Sequence, residues 1–309
     1  MLLRYAGQRI LMLIPVSICI SLVIFMIVHM LPGDPIDNLL RIGSSPQERA
    51  LMTAKYGLDQ SLFSQYLLWM GAMFQGDFGQ AIVLRRPVAD LISQNLPYSL
   101  TLGALAFAFS SVVGMLLGTL STVVKSPMME RFVRGFILLG STVPSFWLAL
   151  LMILAFAVTL DWFPVSGAKG WESLVLPVLT IGFGGVALVA RVTRVALMDA
   201  KREDFVMLLH AKGLAPSVIL WRHLFPHALL PVVTILALRI GWILGGAVTV
   251  EFVFGRPGLG SLLIRALGQR DYPVVQGCLL MLALAVMLGT LIGDLAQASM
   301  DPRVREAKK

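Results

Sequence analysis

The chain has 309 residues, of which 57% are hydrophobic and 14% charged, and it carries a formal net charge of +8. Soluble domains hold about 45–50% apolar and about 25% charged residues, so this composition excludes an ordinary soluble fold. Cys19 and Cys278 both fall in apolar runs and read as small buried hydrophobes, not as a disulfide framework.

The first apolar run covers about residues 10–31. It is longer than a signal-peptide core and ends in Leu31-Pro32-Gly33-Asp34-Pro35 without a small-residue cleavage site, so it reads as a retained membrane helix. The segment after it, 32–97, is too long for a simple connection. Within it a helix is expected from Pro46 to Tyr56, with Ser45 as N-cap, Glu48 in the first turn and Gly57 at the end. A second is expected from Ser61 to Phe74, with Leu62, Tyr66, Trp69 and Met73 on one stripe, before a turn at Gly76-Asp77-Phe78-Gly79. This region is either a small cap on the membrane surface or a docking surface for an outside partner; the two are compatible.

Five further spans follow, at about 98–124, 134–160, 174–197, 228–252 and 273–298. Each can cross a ~30 Å hydrocarbon core at ~1.5 Å rise per residue. With no water there to satisfy backbone groups, each must be helical. The expected fold class is therefore an all-α polytopic membrane protein of six helices. Its parts are 1–31, the external segment 32–97, a core at 98–298 and a tail at 299–309.

Between the fourth and fifth spans lies a polar loop, 198–227. Asp199 or Glu203 can start a helix there, Phe205, Leu208 and Leu209 give it an apolar face, and Gly213 can end it. Pro216 then begins a second short piece, Ser217 to Leu224. Two such pieces cannot cross the membrane but can present a knob. An interfacial helix lying on lipid would want a strongly basic polar face, which Glu203 and Asp204 break.

Arg239 falls near the middle of the fifth span, where a charge costs at least ~2.5–3.5 kcal/mol on insertion scales. It is either a structural arginine bonded to carbonyls or another helix, or a residue of a translocation path that meets an anionic group. Asp294 in the sixth span is expected to pair with a nearby arginine. His223 and His227 have a metal-compatible spacing without an obvious third ligand. Gly114, Gly118, Gly241, Gly245 and Gly246 read as sites of close helix contact.

Charge orients the chain. With the N-terminus in the cytoplasm, the inside segments hold 15 basic and six acidic residues, and the outside segments nine basic and ten acidic. The positive-inside rule therefore puts both termini inside. Nucleic-acid binding is the poorer explanation of the basic charge, which is spread over four separate segments.

The loop segment Asp204-Phe205, His210-Ala211-Lys212-Gly213 and later His223 to Pro231 resembles the cytoplasmic motif of membrane permease subunits of binding-protein-dependent ABC importers, in the dipeptide, oligopeptide, glutathione and nickel branch. It departs from the branch at Met207-Leu208-Leu209 and at Pro226-His227. The likeness extends to Leu31–Pro35, Tyr56-Gly57-Leu58-Asp59-Gln60, Gly76–Gly79, Arg86-Pro87-Val88, Glu251 to Gly260, Arg270 to Gln276 and Asp301 to Arg305.

The resemblance implies a type I importer permease (MetI-like) fold in a bacterial inner membrane. It implies ATPase contact through Glu203, Asp204, Phe205, Ala211, Lys212, Gly213 and Leu214. The expected partners are a second, homologous permease, two ATP-binding subunits holding ATP and magnesium, and an extracytoplasmic substrate-binding protein. The chain itself is expected to be no enzyme and to bind no cofactor, metal or nucleic acid.

Independently, the chain has no Gly-x-x-x-x-Gly-Lys-Ser/Thr phosphate loop, no row of ionisable residues in the spans and no Gly-x-Ser-x-Gly elbow. The alternatives are an ATP-independent secondary transporter or channel, or a membrane scaffold or sensor.

Overall fold

The computed structural model describes residues 2–30, 45–55, 59–124 and 126–300. The expectations for Leu31–Pro35, the helix stop at Gly57 and the tail from Asp301 lie outside these residues. Among the described residues the fold is helical, and its helices divide between two compact units.

One unit comprises residues 11–99 and 257–285. It holds most of α1 (Leu2–Met30), together with α2 (Pro46–Lys55) and α3 (Leu62–Phe74). Ser45 and Glu48 cap α2 reciprocally: Glu48 N–H donates to Ser45 Oγ at 3.2 Å and Ser45 N–H to Glu48 Oε2 at 3.0 Å. Ser61 Oγ caps α3, accepting from Ser64 N–H at 3.3 Å.

Tyr66 and Trp69, the middle of the expected stripe on α3, face α1, whereas Leu62 is exposed. Tyr66 Oη lies 2.8 Å from Ser21 Oγ, and Phe25 sits against both Tyr66 and Trp69. His29 bridges Phe25 O and Gln65 Oε1 at 2.8 and 3.1 Å. Cys278 is buried in this unit, but Cys19 is exposed, contrary to the sequence reading. In a span an apolar run marks compatibility with lipid as well as with a protein interior, so hydropathy does not bury a residue against other helices.

Gly76 ends α3 in the left-handed region at φ 77°, and Asp77 Oδ1 then accepts from Gly79 N–H at 2.9 Å. The chain doubles back so that Gln80 bridges Pro87, and Val83 N–H donates to the buried Asp271 at 2.9 Å. Motifs far apart in sequence thus meet in one small structure. Its core joins Val88, Leu91 and Ile92 of α4 (Val88–Val123) to Leu259, Leu262 and Leu263 of α11 (Leu259–Gln269) and to Val275 and Cys278 of α12 (Tyr272–Met300).

The other unit comprises residues 1–10, 100–256 and 286–309. It contains α5 (Pro127–Thr142), α6 (Ser145–Met152) with a following π turn Ile153–Thr159, α7 (Glu172–Ala200), α8 (Asp204–Ala211), α9 (Pro216–Val218), a π turn Ile219–Leu224 and α10 (Phe225–Val253). α7 lies at its centre, against α5, α6 and α10.

Among the described residues, five single helices are long and apolar enough to cross a membrane, and a bent pair makes a sixth candidate. The third span is that pair, not the continuous helix the sequence reading expects. The chain bends by 111° between its halves, Glu130–Thr142 and Ser145–Thr159. The cause is local. Val143 is extended at ψ 121°, as a residue before proline prefers, and Pro144 is extended at ψ 138° and has no N–H to continue the ladder.

The fifth span also differs. Its helix is continuous with the cytoplasm-assigned piece, beginning at Pro216, and the candidate span is Pro216–Gly241. Pro226 cannot donate to the preceding turn; the wider π turn Ile219–Leu224 carries the helix past it.

Glycines set the helix separations in this unit. A Cβ on Gly114 would lie 2.6 Å from Val189 Cβ, and one on Gly118 would lie 2.7 Å from Ala190 O. Likewise, a Cβ on Gly241 would come 2.8 Å from Val286 O, while Gly289 already approaches Gly241 closely enough that a Cβ there would meet its Cα at 3.1 Å. Gly245, also expected to pack closely, has nothing within 4 Å.

Candidate functional site

α8 starts where Glu203 leaves the extended region, and Val206 N–H closes the first turn on Glu203 O at 3.0 Å. Asp204 puts a negative charge on that first turn, where the helix dipole favours it. The helix ends in two bonds of the Schellman pattern: Gly213 N–H to His210 O at 2.9 Å and Leu214 N–H to Leu209 O at 3.3 Å. Gly213 takes the left-handed conformation this needs, at φ 73°.

One face of α8 is fastened to the unit. Val206 is buried in a cluster with Leu197 and Ala200 of α7, Ile219 and Leu220 of the π turn, and Ala228 of α10; Phe205, Leu209 and Leu214 pack on its edge. The Phe205 ring meets His227 edge-on at 5.7 Å between centroids, so His227 is a packing partner of α8. His210 Nδ1 lies 2.8 Å from Val206 O.

The other face is open. Glu203, Asp204, Ala211, Lys212 and Gly213 are exposed, and so are Met207 at 75% and Leu208 at 57%. Trp221, on the neighbouring π turn, is 54% exposed. This corrects the sequence reading of the apolar face: Val206 points inward and Leu208 outward. Residues 205–209 are all apolar, so hydrophobic periodicity had no contrast from which to choose a side.

Arg239 lies on α10, and its Nη1 is buried and makes no hydrogen bond among the described residues. A glycine makes room for it. A Cβ on Gly185 of α7 would overlap Nη1 and lie 2.6 Å from both Nη2 and Ser110 Cβ of α4. Three helices therefore converge on the guanidinium. Asp294 pairs with Arg9 at 3.1 Å, as expected of it, and Arg9 Nε donates to Tyr5 Oη at 3.1 Å.

A family described as "Binding-protein-dependent transport system inner membrane component" matches residues 110–306, and its N-terminal companion matches residues 2–103. The chain belongs to this family of inner-membrane transport components. Relatives include the glutathione transport system permease protein GsiC of Escherichia coli K12 and that of Shigella flexneri serotype 5b. Each is 36% identical over 304 residues, covering 98% of this chain and 99% of the relative.

A chain from an inward-facing MetNI methionine ABC transporter matches with a TM-score of 0.57 at 20% identity, covering 68% of this chain and 96% of that one. The likeness identifies the fold as MetI-like. This family member is thus a multi-pass inner-membrane permease subunit of an ABC importer, a transport subunit rather than an enzyme, and it works in systems that use a binding protein. The alternative of a secondary transporter or channel is not favoured.

Proposed function

We propose that α8 and the turn at Gly213 form the contact through which an ATPase subunit drives this permease. The observation that carries the reading is the pairing of a fastened inner face with an open outer one. Val206, Phe205 and Leu209 tie α8 to α7 and α10, so a force on Met207 and Leu208 is transmitted to two long helices. Glu203, Asp204, Ala211, Lys212, Gly213 and Leu214 frame that contact. Two ATP-binding subunits hold the nucleotide and magnesium, a second related permease completes the path, and a soluble binding protein delivers substrate on the far side. Both termini lie in the cytoplasm, in accord with the excess of basic residues in the segments on that side.

The test is co-purification. The double substitution Met207→Glu and Leu208→Glu places two charges on the open face and none in the cluster beneath it. Recovery of ATPase subunits with the tagged permease should fall by about tenfold or more, equivalent to ~1.4 kcal/mol, while the amount of permease in the membrane stays unchanged. Undiminished recovery would remove α8 from the contact.

The substrate class proposed is a small peptide-like solute such as glutathione, in line with the GsiC relatives. Arg239 serves it by meeting a carboxylate, since its Nη1 has no hydrogen-bond partner among the described residues. Arg239→Gln should lower uptake per assembled complex by about tenfold, the scale of one lost charged hydrogen bond, with complex levels preserved. An unchanged rate per complex would return Arg239 to a structural role.

A further inference from the structure

A cleft of about 330 Å³ opens between α5 and α7, and neither α8 nor Arg239 lines it. Arg134 of α5 and Arg191 and Arg194 of α7 line it. Glu130 is the acid beside them: it accepts from Arg134 Nη2 and Arg194 Nη2, each at 2.7 Å. One carboxylate thus stands against three guanidiniums. Arg191 Nη2 reaches Ser141 Oγ at 3.5 Å, the long limit of a hydrogen bond. Leu138, Val195 and Met198 supply an exposed apolar wall to the same cleft. Both helices are parts of candidate membrane spans. Arg191 lies nine residues before the end of α7, about 14 Å along the helix axis, a depth suited to the boundary between headgroups and hydrocarbon.

We propose that this cleft binds the headgroup of an anionic phospholipid, with the phosphate held by Arg191 and Arg134 and an acyl chain lying along Leu138, Val195 and Met198. Charge selects the anion, because a neutral headgroup leaves two cationic groups uncompensated. The apolar wall selects a lipid over a soluble phosphate, because only a lipid removes that wall from water. Glu130 holds Arg194 and orients Arg134, and Arg191, whose contact to Ser141 Oγ is at the long limit, is the group that closes on the phosphate. The proposal needs only that the spans lie in a bilayer and does not depend on which way the termini face or on the role of α8.

The assay is native mass spectrometry of the purified transporter, exchanged into micelles doped with phosphatidylglycerol or phosphatidylethanolamine. The wild type should retain phosphatidylglycerol in preference to phosphatidylethanolamine. Arg191→Gln should weaken that retention by about fivefold, the effect of one basic residue near an anionic headgroup. Arg191→Lys should restore most of it. ATPase and permease stoichiometry, read in the same spectra, should not change. Three results would overturn the proposal. The first is equal retention of the two lipids by the wild type. The second is displacement of the lipid by millimolar inorganic phosphate, which would make the site one for a soluble anion. The third is loss of the second permease in Arg191→Gln, which would make the cleft a subunit interface.

Discussion

Valine at position 213 should leave the permease in the membrane and sharply reduce substrate-stimulated ATP hydrolysis. Gly213 sits at φ 73° with nothing within 4 Å of the place a Cβ would occupy. Steric crowding by neighbours is therefore absent, and the whole effect comes from the backbone. A left-handed residue with a side chain costs about 1–2 kcal/mol, and a β-branched one more. The chain relieves that cost by opening the two bonds that end α8, at His210 O and Leu209 O. Leu214 then leaves the edge of the cluster under α8, and the open face is no longer held at a fixed angle.

Coupled ATPase activity should fall about tenfold, which corresponds to ~1.4 kcal/mol. Gly213→Asn is the informative companion, because asparagine enters the left-handed region at little cost. It should keep most of the coupling. Activity assays on the reconstituted transporter compare the two directly. Normal coupling in the valine variant would remove Gly213 from the mechanism, and equal losses in both would mean that the missing hydrogen side chain, not backbone conformation, is what matters there.

Leucine at position 293 should have the larger effect on stability. A Cβ on Gly293 of α12 would overlap Ala237 O of α10 and lie 2.7 Å from Ala237 C and 2.9 Å from its Cα. The obstacle is backbone, so no rotamer change relieves it, and α10 and α12 must separate. Overpacking costs about 1–3 kcal/mol when side chains can adjust; the rigid contact here puts the expected loss at the top of that range. Two neighbouring features would be strained as well: the pairing of Arg9 with Asp294, the residue next to Gly293, and the Gly241–Gly289 contact one turn away. Thermal unfolding of the purified protein in detergent should show a clear drop in midpoint, with reduced membrane accumulation. Gly245→Ala should show neither, since Gly245 faces open space. An unchanged midpoint for Gly293→Leu would mean that the two helices are not in close contact at this point.

The features legible in sequence were those decided by local chemistry. Ser45 announced the N-cap of α2, and Gly213 announced the end of α8, because each residue type satisfies backbone groups within a few positions of itself. Gly114 and Gly118 announced a close helix contact through their spacing. The same spacing at Gly289 and Gly293 carries an equal signal. The family likeness was legible because its motifs occur in one order along the whole chain.

Hydropathy alone established that this chain lives in a membrane, since its apolar runs have no soluble alternative; charge supplies an expected orientation, with both termini inside. Only the tertiary structure decided which face of α8 is free. In a run of five apolar residues every position can be buried, and the choice falls to the neighbours Leu197, Ile219 and Ala228, which are remote in sequence or follow a turn. It also decided that the third span breaks at Val143 and Pro144, since a proline in an apolar run can kink, cap or end a helix. And it showed Arg239 in a space left by Gly185, with Ser110 beside it. That arrangement depends on three helices meeting, and no spacing along a single one of them encodes it.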